Sequence, residues 1–205
     1  MVALIDYGVG NLFSLTCSFR AIGAEAFITA DPEDIRKADR VILPGVGAFE
    51  DAAAKLRATG LDRVVREIAA EGKPLMGICL GMQLLFERSF EYGEHPGLGL
   101  LKGEIRPIAE RIPAGLKIPQ MGWNALKKHR ESPLLKDVRD GECVYFVHSY
   151  SAVNCEESLL ATTEYGADLT ACVGLKNVCG CQFHPEKSGT VGLRILKAFC
   201  EGETA

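Results

Sequence analysis

The sequence of 205 residues lacks the features that mark several classes of protein. None of its eight cysteines forms a C-x-x-C pair, and the closest spacing, Cys179-Gly180-Cys181, has no second pair or histidine set beside it. This spacing gives little support to a zinc site. The apolar runs are too short to cross a bilayer, and no basic segment precedes the first of them. We therefore expect a cytoplasmic protein with reduced thiols and no contact with a membrane.

The sequence also has no excess of positive charge, since its formal net charge is −4. It offers no basic field for nucleic acid, so we expect no nucleic-acid partner. Hydrophobic residues make up 47% and charged residues 24%, as is ordinary for a globular protein. There is no repeat, low-complexity tract or flexible linker. We expect one domain over residues 1–205, with a substantial core.

The order of apolar segments predicts an α/β fold. In the first part of the chain, strands are expected at 2–6, 26–29 and 40–43 and just before Cys79, with helices over Leu12–Ile22 and Leu61–Ile68. Continuous apolar strands separated by helices are typical of a parallel sheet covered on both faces. Further strands are expected at 101–108, 143–153, 159–163 and 170–183, followed by a helix at 189–199. Because these later strands follow one another without helices, they predict additional antiparallel structure.

One cysteine stands out by its surroundings. Cys79 lies between Gly77 and Gly81, at the end of a short apolar strand and the start of a helix. A nucleophile on a sharp strand-to-helix turn needs small neighbours two positions before and after it. The positive end of a helix dipole also favours a thiolate at this position. Free cysteines are more often buried structural residues than nucleophiles, so the turn alone does not establish catalysis.

A thiol nucleophile needs a base, and His184 is the best placed of the four histidines. It ends an apolar strand in Gln182-Phe183-His184-Pro185-Glu186, and Pro185 restricts the backbone on both sides. Glu186 can then orient the ring of His184, which predicts a Cys79-His184-Glu186 triad. The other histidines have non-catalytic interpretations. His95 and His129 are expected at the surface, and His148 is expected to be hydrogen-bonded within a strand.

The two motifs Gly-Ile-Cys-Leu-Gly-Met-Gln and Gln-Phe-His-Pro-Glu resemble those of the class I (triad) glutamine amidotransferases, which have a flavodoxin-like fold. Further segments are similar to the glutaminase subunits that serve imidazole glycerol phosphate synthases: 6–11, 44–49, 121–124, 145–150 and Lys187-Ser188. The resemblance spans essentially the whole chain. Ser151-Ala152 and Cys181 depart slightly from the family's pattern, and neither replaces a triad position.

The resemblance implies a role for each matching residue. Cys79 is the nucleophile, His184 the base and then the acid, and Glu186 the orienting carboxylate. The oxyanion hole uses the backbone N–H groups of Leu80 and Val46. The residues implied to bind glutamine are Gly47, Gln83, Glu91, Ser149 and Tyr150. The family needs no metal and no organic cofactor.

The resemblance also implies a partner. Ammonia released from glutamine passes to a (β/α)₈-barrel cyclase, which this chain is too short to contain, since such a barrel needs about 250 residues. The cyclase is therefore expected as a separate subunit in a heterodimer. Residues that fit the interface are Asn11, Trp123, Tyr145 and Lys187. A single tryptophan is often a core residue instead.

Three alternatives stay open at this point. The chain could be the amidotransferase subunit of another pathway, serving guanylate, carbamoyl phosphate or anthranilate synthesis, although 121–124 and Lys187-Ser188 argue against these. It could be a stand-alone thiol hydrolase or peptidase that needs no partner. It could also be a non-catalytic scaffold or redox sensor, but sensing by Cys79 would not require His184 and Glu186.

Overall fold

Helices and strands alternate over the first part of the chain in the computed structural model, which describes residues 1–202. In chain order these elements are β1 (Val2–Ile5), α1 (Leu12–Ala21), β2 (Ala26–Thr29), α2 (Pro32–Lys37), β3 (Arg40–Leu43), α3 (Phe49–Ala58), α4 (Leu61–Ala70), β4 (Leu75–Ile78) and α5 (Leu80–Leu84). The remaining elements are β5 (Phe86–Ser89), β6 (His95–Pro96), β7 (Leu101–Pro107), β8 (Gln120–Lys128), β9 (Cys143–His148), β10 (Tyr150–Val153), β11 (Leu159–Glu164), β12 (Asp168–Leu175), β13 (Val178–Cys181) and α6 (Gly189–Glu201). Single 3₁₀ turns lie at Ile108–Glu110, Pro133–Leu135 and Pro185–Lys187.

The strands form two sheets. The larger has nine strands in the order β2-β1-β3-β4-β13-β12-β11-β8-β9, and the smaller has four in the order β10-β7-β5-β6. From β2 to β13 the neighbouring strands are parallel, and from β13 to β9 they are antiparallel. The predicted α/β fold, with a parallel sheet flanked by helices and antiparallel strands in the second half, is confirmed.

Helices cover both faces of the parallel strands, as their continuous apolar sequences require. Along β1, the side chains of Ala3 and Ile5 join one core cluster with helices α3 and α4, whereas Val2 and Leu4 join a second cluster with α1 and α6. This division follows from the strand period of two residues, which points successive side chains to opposite faces. The turn at Cys79 and the loop after Leu43 therefore emerge side by side at the carboxyl edge of the sheet.

Two of the predicted strands were wrong in extent. The segment 143–153 is two strands, because the chain leaves the large sheet at Ser149 and enters the small one as β10. The segment 170–183 is a hairpin, since the chain turns at Lys176-Asn177 between β12 and β13. The polar pairs at these breaks, His148-Ser149 and Lys176-Asn177, interrupt the apolar pattern only briefly, so the pattern predicts one continuous strand in each case. The pattern also missed β5, β6, β8, α2 and α3. Within residues 1–202, no helix is long and apolar enough to span a bilayer.

Candidate active site

Cys79 sits on a strained turn between β4 and α5. Its backbone angles, φ 54° and ψ −112°, lie outside the regions that a non-glycine residue ordinarily occupies. The two flanking glycines make the turn possible: a Cβ on Gly77 would lie 2.6 Å from the carbonyl oxygen of Gly81, and one on Gly81 would collide with the carbonyl oxygen of Leu43. The N–H of Cys79 donates to the carbonyl oxygen of Cys181 at 2.7 Å. The turn therefore places Cys79 directly beside the end of β13.

His184 follows β13 and is buried together with Glu186. Its Nδ1 lies 2.8 Å from Oε1 of Glu186, and the two side chains are only 3% and 1% exposed. Its N–H donates to the carbonyl oxygen of Tyr145 at 3.0 Å, while Ser188 Oγ donates to its carbonyl oxygen at 2.6 Å. Burial acts to lower the pKa of His184, but hydrogen bonds with Cys79 and Glu186 outweigh it and raise the pKa to about 10. The predicted triad residues are thus brought together, with Glu186 on Nδ1.

A cavity of about 550 Å³ opens over Cys79 and His184. The residues predicted to bind glutamine all line it: Gly47, Gln83, Glu91, Ser149 and Tyr150. They come from separate parts of the chain, and Ser149 and Tyr150 lie where the chain passes between the two sheets. His148 also lines the cavity, buried against the carbonyl oxygen of Tyr150 and the side-chain amide of Gln120, as the strand interpretation predicted.

Glu91 has a second contact that the sequence did not predict. Its Oε2 accepts the N–H of Phe49 at 2.6 Å, at the start of α3, where the residue before the helix provides no side-chain cap. Burial raises the pKa of this carboxyl group, and the hydrogen bond from Phe49 partly opposes the rise. Glu91 therefore presents a carboxylate to the cavity and also fixes the end of the loop 44–48.

Two buried glutamines lie beneath the cavity, and one of them was not assigned a role from the sequence. Nε2 of Gln83 donates to the carbonyl oxygen of Tyr150 at 3.1 Å and to Oε1 of Gln182 at 3.0 Å. Nε2 of Gln182 faces Sγ of Cys79 at 3.8 Å. Gln182 is fully buried. The signal that could have found it is a polar amide at the end of an apolar strand, since a buried amide needs hydrogen-bond partners.

The oxyanion loop, residues 44–47, lies against the start of α5 with one expected donor already in use. The N–H of Leu80 donates to the carbonyl oxygen of Gly45 at 3.3 Å. The peptide between Gly45 and Val46 is trans, so the N–H of Val46 points away from that carbonyl and from Leu80. Val46 is 41% exposed. In this conformation, the two predicted donors do not converge on one oxygen.

Tyr7 holds the other end of the loop. Its hydroxyl donates to the carbonyl oxygen of Pro44 at 2.7 Å, and the side chain is buried. Burial, with the nearby Cys79 as a lesser cause, raises the pKa of Tyr7. The loop is thus fixed at Pro44 by Tyr7 and at Phe49 by Glu91.

Removing this hydroxyl should cost stability. We expect Tyr7→Phe to lower the free energy of unfolding by about 1–3 kcal/mol, because it leaves the buried carbonyl of Pro44 without its donor. Urea unfolding of both proteins measures the difference. An unchanged midpoint at equal slope would show that water or another donor replaces the hydroxyl.

Three of the four predicted interface residues form one surface cluster. The rings of Trp123 and Tyr145 meet edge to face at 6.1 Å between centroids, and Nζ of Lys187 lies 6.0 Å from the centre of Tyr145. Trp123 is 55% exposed, which favours the interface interpretation over the core. Asn11 precedes α1, and its side chain makes no capping hydrogen bond there. It has no direct contact with the ring cluster among those described.

Comparison with solved structures supports the fold. A structure described as a glutamine amidotransferase aligns with a TM-score of 0.76 at 22% identity, covering 98% of each chain. A chain of PurLQS from Thermotoga maritima aligns with a TM-score of 0.75 at 21% identity, covering 97% of this chain and 96% of that one.

Comparison of sequences gives a closer relation. The family described as Glutamine amidotransferase class-I matches residues 3–201. The imidazole glycerol phosphate synthase subunit HisH of Bacillus licheniformis is 53% identical, over 97% of this chain and 95% of the relative. The protein of the same name from Wolinella succinogenes is 51% identical, over 98% and 99%. The chain therefore belongs to the class-I glutamine amidotransferase family.

Proposed function

We propose that this protein hydrolyses glutamine to glutamate and ammonia, with Cys79 as the nucleophile. The observation that carries the proposal is the buried Cys79-His184-Glu186 set beneath a cavity of about 550 Å³, in a chain of this family. A cavity of this size is in the range of small-molecule sites. The family match over residues 3–201 also supports one amidotransferase domain for the chain, whose last three residues lie outside the described part.

The proposed chemistry follows from the positions of the side chains. His184 takes the thiol proton, and Sγ of Cys79 attacks the γ-carbonyl carbon of glutamine, so that the carbonyl π electrons move to oxygen. When the C=O bond re-forms, the C–N bond breaks, and His184 gives its proton to the nitrogen, which leaves as ammonia. The product is a γ-glutamyl thioester. Water, deprotonated by His184, then attacks this thioester and releases glutamate and the thiolate.

The charge of the cavity suits an amino-acid substrate. Glu91 offers a carboxylate for the α-ammonium group, and its partial burial strengthens a charge-assisted hydrogen bond there. Ser149 and Tyr150 supply hydroxyl and backbone groups to the cavity, and Gln83 and Gly47 also line it. These five residues are proposed as the glutamine contacts. Val46 and Leu80 are proposed as the oxyanion donors.

The proposed acceptor of the ammonia is a separate (β/α)₈-barrel cyclase subunit, in an imidazole glycerol phosphate synthase heterodimer. Support comes from relatives 53% and 51% identical over nearly the whole chain, each named as a HisH subunit of that synthase. The cyclase would convert a phosphoribulosyl intermediate to imidazole glycerol phosphate and an aminoimidazole carboxamide ribotide, in histidine biosynthesis. We place this reaction in the cytoplasm. Free ammonia becomes ammonium at neutral pH, so direct transfer between subunits prevents its loss.

The proposed docking surface consists of the cluster of Trp123, Tyr145 and Lys187, together with Asn11. We expect Trp123→Ala to weaken binding of the cyclase at least tenfold, because large exposed aromatic side chains often dominate interface energies. Ile28→Ala is the matched control, since Ile28 is an exposed apolar residue on β2, at the opposite end of the strand order from β8 and β9. Titration calorimetry measures both. Equal affinities for the two variants would place the interface elsewhere.

Glutamate release from glutamine tests the proposed function. It would be measured for the purified chain alone, and with the cyclase and its phosphorylated ligand. We expect little release by the chain alone and a large increase in the complex. Equal rates in both cases would remove the partner from the mechanism and favour a stand-alone hydrolase. Activation by a guanylate, carbamoyl phosphate or anthranilate synthase subunit instead would assign the chain to another pathway.

A further inference from the structure

The side-chain amide of Gln182 is the group beside the nucleophile that the mechanism above leaves unused. It is fully buried, and its nitrogen faces Sγ of Cys79 at 3.8 Å. Two backbone contacts fix its place: its N–H donates to the carbonyl oxygen of Ala171 at 2.9 Å, and the carbonyl oxygen of the preceding residue, Cys181, accepts the N–H of Cys79. The sheet therefore holds the backbone of Gln182 beside the turn that carries the thiol.

A chain of hydrogen bonds decides which end of this amide faces sulfur. The carbonyl oxygen of Tyr150 can only accept, so the Gln83 atom that contacts it at 3.1 Å must be the nitrogen. The same nitrogen contacts Gln182 at 3.0 Å, and that atom must then be the oxygen of Gln182. The remaining end of Gln182, its NH₂ group, is left facing Cys79. The backbone of Tyr150 thus orients a donor toward the nucleophile through two side chains.

We propose that Gln182 is a catalytic residue that donates an N–H to the Cys79 sulfur and stabilises its thiolate. A donor favours a thiolate over a thiol, because the bond to a charged acceptor is the stronger one. The amide of Gln182 is buried, which strengthens the interaction further. His184 accepts the proton of the Cys79 thiol, while Gln182 keeps its own protons. This inference rests on the proposed role of Cys79.

The alternative is that Gln182 has a structural role only. In that case it would satisfy Gln83 within the core, and its loss would lower stability without changing the ionisation of Cys79. The two possibilities differ in the pH dependence of the thiol, so the test must measure thiolate formation rather than turnover.

Alkylation by iodoacetamide provides this measurement on the full-length protein. The thiolate displaces iodide, an S–C bond replaces the C–I bond, and the rate follows the fraction of thiolate. Cys79 lines the open cavity, where the reagent can reach it. The exposed Cys17 and Cys143 serve as internal references in each sample. Mass spectrometry of the separate peptides gives the rate at each cysteine from about pH 4 to about pH 10, roughly three units either side of neutral.

Gln182→Met keeps the length of the side chain and removes the donor. We expect the alkylation midpoint of Cys79 to rise by about one pH unit or more, a tenfold loss of thiolate at a fixed pH below it, because hydrogen bonds to charged groups are among the stronger ones. The rates at Cys17 and Cys143 should not change. The glutaminase rate of the complex should fall about tenfold below the midpoint and recover as the pH is raised.

A second variant keeps the test informative if Gln182→Met does not fold. Gln83→Met leaves Gln182 in place but removes the group that orients it, so we expect a smaller rise in the midpoint of Cys79. An unchanged midpoint in the folded variant would overturn the inference, even if the melting temperature falls. If the wild-type complex does not hydrolyse glutamine but the midpoint still shifts, the proposed function fails and the role of Gln182 on the thiol stands.

Discussion

Replacing Cys79 by alanine should lower the rate of glutamine hydrolysis in the complex by about 10⁴-fold or more. Removal of a catalytic nucleophile costs this much because no thioester can form and only binding and oxyanion stabilisation remain. Glutamate release from the purified variant, mixed with the cyclase and its ligand, measures the loss. Cyclase activity with added ammonia should persist, since that reaction does not use the thiol.

Cys143→Ala is the matched control for this experiment. Cys143 is an exposed free cysteine at the start of β9, away from the turn at residue 79, and its removal should leave the rate unchanged. Glu186→Gln completes the comparison: it keeps the shape of the residue on Nδ1 of His184 but removes its charge, so we expect a loss of about 10²–10⁴-fold. A Cys79→Ala protein within tenfold of wild type would contradict the account.

The second large effect concerns the N–H of Val46. Val46→Pro should remove most of the activation by the partner, about 10²–10³-fold in the rate of the complex, because it deletes one of two oxyanion donors. In the structure, the N–H of Leu80 donates to the carbonyl oxygen of Gly45, and the N–H of Val46 points away from Leu80. Rotation of the peptide between Gly45 and Val46 would release the N–H of Leu80. The same rotation would turn the N–H of Val46 toward the oxyanion site. We expect binding of the partner and its ligand to favour that rotation.

The loop is built for a local change of this kind. Its ends are fixed, at Pro44 by Tyr7 and at Phe49 by Glu91, while the middle has glycine on both sides of Val46. Gly47 has φ 94° and no atom within 4 Å of a built Cβ, so the space around it is open. A peptide between flexible residues can rotate while the flanking structure stays in place.

Val46→Ala is the matched variant, since it shortens the side chain but keeps the N–H. It should stay within a few-fold of wild type in the complex, and both variants should bind the cyclase with similar affinity. Rates of glutamate release and calorimetric titration measure the two properties. If the proline and alanine variants are equally active, the second donor is not the N–H of Val46.

The grouping of Cys79, His184 and Glu186 could be predicted from the sequence because each part is encoded locally. Gly77 and Gly81 are the two positions where the turn at Cys79 allows no side chain, and this spacing is visible without a structure. The pair of His184 and Glu186 is separated by one proline, which limits the geometry they can take. Local constraints of this kind are read directly from a short segment.

The features that the sequence did not reveal depend on contacts between distant segments. The role of Glu91 at the start of α3 needs Phe49, and the orientation of Gln182 needs Gln83 and Tyr150. The break at Ser149 arises because β9 pairs with β8 while β10 pairs with β7. Nor could the hydrogen bond from Leu80 to Gly45 be foreseen, since it depends on how two loops pack. Periodicity describes burial along one segment and carries no information on these pairings.

Trapping the intermediate on Cys79 would distinguish nucleophilic catalysis from every alternative. The complex would be mixed with glutamine and quenched in acid during turnover, and the peptides would be mapped by mass spectrometry. We expect a γ-glutamyl adduct on the peptide that contains Cys79, lost on treatment with hydroxylamine and absent from Cys79→Ala. An adduct on another residue, or steady release of glutamate with no adduct in wild type or in a slowed Glu186→Gln protein, would contradict nucleophilic catalysis by Cys79.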